Sequence, residues 1–187
     1  MLRKLPGTTV EMAVKNAAGA SEVLDNIFMA GGLVLSQVSG LTGLEPYMIQ
    51  NWVKRGFLPP PVRKMYSKRQ FCRIAIINML RDVMQIEKIT GLLSYINGRL
   101  DDIGDDIIDD SELYVYYIDA ACRYENSKGA GSVEEKVASA VEAAAKGFKE
   151  PFPGAKMRLC KVLAAMVYAR CAAEMRDRAE EVINTLD

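Results

Sequence analysis

Between Tyr47 and Arg81 the chain carries eight cations, Lys54, Arg55, Arg63, Lys64, Lys68, Arg69, Arg73 and Arg81, and no carboxylate. The whole 187-residue chain holds 24 Lys and Arg against 24 Asp and Glu, so the remaining segments together carry a compensating −8. Cations gathered in this way displace counterions from phosphates, the source of most sequence-independent affinity for DNA. A charge run is more often just a solvated face, so its neighbours decide the matter. Tyr47, Gln50, Asn51 and Lys54 fall at i, i+3, i+4 and i+7, one face of a helix. An amide pair, a phenol and a cation are groups that reach base edges and phosphates. Met48, Ile49, Trp52 and Val53 form the opposite, apolar stripe.

These residues need a scaffold, and the flanking sequence describes one. Ser36 is an expected N-cap for a short helix with Val38 and Leu41 on one face, and Gly43 permits a tight turn. Pro46 suits the first position of a second helix, because its missing N–H needs no partner there. Gly56 can close that helix in a left-handed cap, and Pro59-Pro60-Pro61 forbids its extension. Val62–Tyr66 is short, partly β-prone and basic, one arm of a small wing. Ser67 and Gln70 fit the S-x-x-Q capping box of a further helix. The order is helix, turn, helix, wing, long helix: a winged helix-turn-helix.

The run Gln37-Val38-Ser39, Leu41-Thr42-Gly43-Leu44, Ile49-Gln50-Asn51-Trp52-Val53-Lys54-Arg55-Gly56-Phe57-Leu58-Pro59 and Lys64-Met65-Tyr66-Ser67 resembles the DNA-binding domain of MerR-type transcriptional regulators. The likeness covers roughly residues 35–93. With Leu92-Leu93 and Tyr95-Ile96-Asn97-Gly98, it resembles more closely an uncharacterised bacterial set, domain-of-unknown-function family 1836, over about residues 28–120. The resemblance implies duplex DNA binding and a dimer made through a helix C-terminal to the DNA-binding domain. Three positions depart from the MerR pattern. Gln50 stands where an Arg is usual, Asn51 replaces a phosphate-contacting Tyr, and Lys64 occupies a wing position that is commonly Arg.

Beyond the wing the chain reads as helices, with Ser111–Tyr124, Val133–Phe148 and Ala155–Leu186 separated by linkers at Glu125–Ser132, containing Gly129-Ala130-Gly131, and Lys149–Gly154. Glu22–Met29 is expected to form a short helix. The fold class is mainly α, in three parts: an N-terminal segment 1–30, a MerR-like winged helix-turn-helix 31–100, and a helical C-terminal region 101–187 for dimerisation or an effector. Asp101, Asp102, Asp105, Asp106, Asp109 and Asp110 pair at a spacing of four but lack the D-x-D-x-D-G ladder of a calcium loop. They read as a solvated lead-in to the next helix, favourable at its N-terminus. Leu113-Tyr114-Val115-Tyr116-Tyr117 reads as core, with an effector pocket as the alternative. Of Cys72, Cys122, Cys160 and Cys171, none has metal-ligand spacing; Cys72, near Arg69 and Arg73, is the one with a cationic setting suited to a redox sensor.

No histidine, phosphate-binding loop or nucleophile motif is present, so no enzyme, catalytic residue, cofactor or metal is expected. Without an apolar leader or membrane-length stretch, the expected location is cytoplasmic, with no membrane partner. Two functions follow. One is a transcriptional regulator reading duplex DNA as a homodimer through Tyr47, Gln50, Asn51, Lys54, Arg55, Arg63, Lys64, Lys68 and Arg69, with room for an unknown small-molecule effector. The other is a protein-interaction module on the same fold.

Overall fold

A computed structural model describes residues 2–100, 104, 106–127 and 131–186. Asp101, Asp102 and Asp105 of the acidic run, and Gly129 and Ala130 of the linker, lie outside the described residues.

The chain opens on a hairpin that periodicity did not disclose. β1 (Leu2–Lys4) and β2 (Glu11–Val14) pair antiparallel with Leu2 opposite Val14, burying Leu2, Leu5 and Val14. α1 (Ala17–Ile27) starts five residues earlier than expected, because Asn16 Oδ1 accepts from Gly19 N at 3.0 Å and caps it. β3 (Leu33–Val34) then runs directly into α2 (Leu35–Thr42). Ser36 is therefore not the cap. Gln37 reaches back instead, its Oε1 accepting from Val34 N at 2.9 Å.

Gly43 takes φ 70° at the end of α2, and α3 (Pro46–Lys54) follows with Pro46 in its first turn. β4 (Met65–Tyr66) returns antiparallel to β3, Leu33 opposite Tyr66 and Val34 opposite Met65. Ser67 then caps α4 (Lys68–Leu80). Its Oγ accepts from Gln70 N at 3.2 Å, and Gln70 Oε1 accepts from Ser67 N at 2.8 Å, the reciprocal box the sequence spelled out. The Gln70 amide also donates to Pro59 O and Pro60 O at 3.0 and 2.9 Å, tying the proline run to the start of α4.

Every residue from Gln70 to Ile77 is buried, so α4 passes through the middle of the molecule. Around it stand α5 (Ile86–Asn97), α6 (Asp110–Asn126), α7 (Val133–Ala144), a single 3-10 turn at Ala145–Gly147, and α8 (Ala155–Ile183). Tyr114 and Tyr117 of α6 are fully buried, as core and not as a pocket lining. One continuous apolar core runs from Leu2 to Ala169. The protein is mainly helical, with eight α-helices and four short strands among the described residues, where no helix is long and apolar enough to cross a membrane.

α8 divides at its middle. Leu159, Val162, Leu163, Met166 and Ala169 are buried in the chain's own core, while Met175, Val182, Ile183 and Leu186 beyond them are exposed. Packing on α6 and α7 thus covers the apolar residues in the first half of α8, not those in the second.

Candidate nucleic-acid interface

α3 is seated by Ile49 and Trp52, both buried, with Met48 and Val53 half-buried at the margins. That leaves Tyr47, Gln50, Asn51 and Lys54 exposed together on its outer face, Tyr47 at 68%. After α3 the backbone turns at Gly56 (φ 74°) and reaches the proline run.

The segment expected to form one basic arm of a wing is a tight hairpin. Val62 and Met65 exchange both backbone hydrogen bonds, Val62 N to Met65 O at 3.1 Å and Met65 N to Val62 O at 2.9 Å. Between them Arg63 and Lys64 form a two-residue turn with φ 51° and 65°, the only non-glycine residues with positive φ among those described. A turn with both central residues left-handed normally takes Asn and Gly, because a Cβ is strained there. Here it takes two cations. Met65 also pairs with Val34, so the tip is anchored to the strand that feeds α2. Burial raises the Tyr66 hydroxyl pKa beneath it. Val34, Leu35, Gln50, Val53, Pro61, Lys64 and Tyr66 frame a groove of about 520 Å³ between α3 and the tip. Val62 stands beside it at 73% exposed.

The structure separates the expected contact residues into two sets. Lys54, Arg63 and Lys64 are exposed and make no ion pair among the described residues. The other three are engaged by distant acids. Arg55 pairs with Glu87 at 2.9 Å and stacks on Phe57, 4.4 Å from the ring centre. Lys68 pairs with Asp25 at 2.7 Å. Arg69 meets Asp106 at 2.6 Å and lies 3.5–3.6 Å from Asp110 and Asp109. Burial opposes its charge, but Asp110, Asp106 and Asp109 outweigh that and raise its pKa. Sequence windows held no sign of these pairings, since the partners lie 32 to 43 residues away.

The described part of the acidic run is correspondingly not a simple solvated lead-in. Asp109 caps α6, its Oδ1 accepting from Ser111 N at 2.7 Å and from the Ser111 hydroxyl. Asp110 is 1% exposed and accepts from Arg73 Nη1 at 3.2 Å and Asn97 Nδ2 at 2.9 Å. Arg73, itself 4% exposed, donates through Nε to Phe57 O at 3.0 Å, so the buried ion pair between α4 and the start of α6 also holds the turn after α3. Cys72 lies beside this pair but is fully buried. Burial pushes its thiol well above the ordinary range, the opposite of what a redox sensor needs.

Residues 23–117, just over half of the chain, match the family described as Domain of unknown function (DUF1836), and the chain belongs to that family. The match runs from the second half of α1 to the first half of α6, taking in α3, the tip and the acids that engage α4. No curated protein and no solved structure matches the chain at a significant level.

Proposed function

We propose that this protein binds duplex DNA as a homodimer and regulates transcription through a MerR-like winged helix-turn-helix, α2 and α3 being the two helices and the Val62–Met65 hairpin the wing. The observation that carries the reading is the pairing of an exposed polar α3 face with a strained hairpin tip made of two free cations. Strain kept at a surface tip points to a functional demand on those side chains. On this reading Gln50 and Asn51 reach base edges in the major groove, with Tyr47 beside them. Lys54, Arg63 and Lys64 meet the phosphates on either side. Arg55, Lys68 and Arg69 keep the scaffold's shape. A second copy joins through the free end of α8, where Met175, Val182, Ile183 and Leu186 lack intrachain cover.

The test is a salt titration of binding to duplex DNA. Three phosphate contacts per protomer in a dimer give a log–log slope of about −5, at about −0.9 per contact. Six contacts per protomer, with Arg55, Lys68 and Arg69 included, would give about −11. Sedimentation at micromolar concentration reads the dimer. Binding that fails to appear at low ionic strength sinks the proposal. One observation favours the second reading, a protein partner: the groove between α3 and the tip is mostly apolar, and Val62 of the hairpin and Tyr47 of α3 are exposed. That reading predicts no salt-sensitive duplex binding and a loss of partner binding with Val62→Asp.

A further inference from the structure

A second cleft, of about 660 Å³, lies between β1 with the loop after it, the end of α4, and α6 and α8. Its size suits a small ligand. Its neutral donors are already spent within the chain. Asn78 Nδ2 donates to Gly7 O and Thr42 O at 2.9 and 3.0 Å, Thr8 Oγ1 to Leu5 O at 2.9 Å, and Thr42 Oγ1 to Val38 O at 2.7 Å. The walls are also firm. A Cβ at Gly7, which has φ 69°, would lie 2.0 Å from Ala75 O, so the loop sits directly on α4 and no other residue fits there.

The donors left over are cations. Arg3 and Lys4 on β1 and Arg81 at the end of α4 make no ion pair among the described residues, and the Arg81 Nη1 donates to the Met48 thioether of α3 at 3.7 Å. Arg170 is held by Glu125 and Glu174 at 2.5 and 3.0 Å. Among the lining residues themselves, four cations, Arg3, Lys4, Arg81 and Arg170, stand against two acids, Asp82 and Glu125, a surplus of two, with Glu174 outside the lining. Cations converging from two elements on one polar cleft are matched by a ligand carrying at least two negative charges, and charge-assisted hydrogen bonds from Arg are the strong kind. We infer that this cleft binds a small anion bearing two or more phosphate or carboxylate groups, gripped by Arg3, Lys4 and Arg81. The lining holds no residue of α3 or of the hairpin tip, although Arg81 reaches Met48 on the inner side of α3.

Titration calorimetry on the full chain, with inorganic pyrophosphate and with citrate as probes and sodium chloride at equal ionic strength as control, tests this directly. The expected result is a dissociation constant below about 1 mM for at least one probe. Pyrophosphate alone identifies a phosphate ligand, and citrate alone a carboxylate. R3Q/R81Q weakens that affinity by about tenfold or more, as loss of charge-assisted bonds requires, while K54Q/K64Q leaves it unchanged. All four side chains are at the surface, and each single variant reads the same effect should the R3Q/R81Q pair lose its fold. No heat beyond the chloride control with either probe overturns the inference. So does binding that survives R3Q/R81Q, or binding that K54Q/K64Q abolishes.

Discussion

Replacing the hairpin tip by Asn-Gly, R63N/K64G, is expected to make the protein more stable and, on the proposed DNA-binding function, a weaker DNA binder at once. Arg63 and Lys64 hold φ 51° and 65°, and a side-chain-bearing residue in the left-handed region costs about 1–2 kcal/mol. Asn tolerates that region, and Gly takes it freely but loses about 0.5–1 kcal/mol through the entropy of its unfolded chain. The net gain is about 1–2 kcal/mol for the pair. Neither side chain has an intramolecular ion pair to lose, so nothing in the folded state offsets it. For a chain of this length that raises the thermal midpoint by about 2–8 °C. The same change removes two cations per protomer, four per dimer, and should flatten the salt slope of duplex binding by about 3.6. Urea unfolding and fluorescence anisotropy on one protein preparation read both effects. A variant that is less stable than the parent refutes the strain argument. A variant that binds with an unchanged slope refutes the role of the tip.

Asp110→Asn removes one partner of a buried pair and leaves Arg73 uncompensated, which should cost about 3–5 kcal/mol in urea unfolding. An R73M/D110N double variant should recover part of that, and a cost below about 1 kcal/mol for the single change would show the pair to be solvated. Trp52→Ala should cost about 3–5 kcal/mol, and the parent's emission should be blue-shifted because Trp52 is buried under α3. Burial raises the Tyr117 hydroxyl to about 12, although Arg170 pulls the other way. A folded-state pKa above the unfolded value of about 10 contributes stability that is complete below pH 10 and is lost as pH rises toward 12. Unfolding free energy should therefore fall over that window, and Tyr117→Phe should shrink the fall. Cys72 should resist an aromatic disulfide reagent in the native protein and react only in urea, since its thiol is both buried and held protonated.

What could be read from the sequence depended on range. Gly43, Pro46, Gly56 and the Ser67–Gln70 box act within a few residues, and the α2–α3–α4 run follows from them. The outer face of α3 was legible for the same reason, because period 3.6 fixes which side chains share a side. The β1–β2 hairpin was not legible. Three- and four-residue strands carry almost no periodicity, and they are held as much by the Tyr114 hydroxyl donating to Pro6 O, 108 residues away, as by each other. The left-handed tip was equally silent, since Arg-Lys is not a turn signature and only its flanking hydrogen bonds enforce the geometry. Ser36 does not cap α2 because Gln37, three residues after Val34, satisfies the Val34 backbone N–H instead.

The larger consequence lies in charge. A sequence count treats eight cations as one patch, but the fold gives them different tasks. Arg73 is buried against Asp110. Arg55, Lys68 and Arg69 are tied to Glu87, Asp25 and Asp106, acids from three separate segments. Arg81 lines the cleft behind the hairpin and donates to the Met48 thioether. Lys54, Arg63 and Lys64 alone point outward near the α3 face. This partition answers why a formally neutral chain can hold such a basic stretch without self-repulsion. The acids outside it quench the cations that pack, and leave charged those at the helix end and the turn tip. Reversing one quenching acid, as in Asp25→Lys, would then enlarge the outward charge without touching α3. On the proposed function, tighter but less sequence-selective DNA binding is the expected consequence, since phosphate contacts add affinity without reading bases.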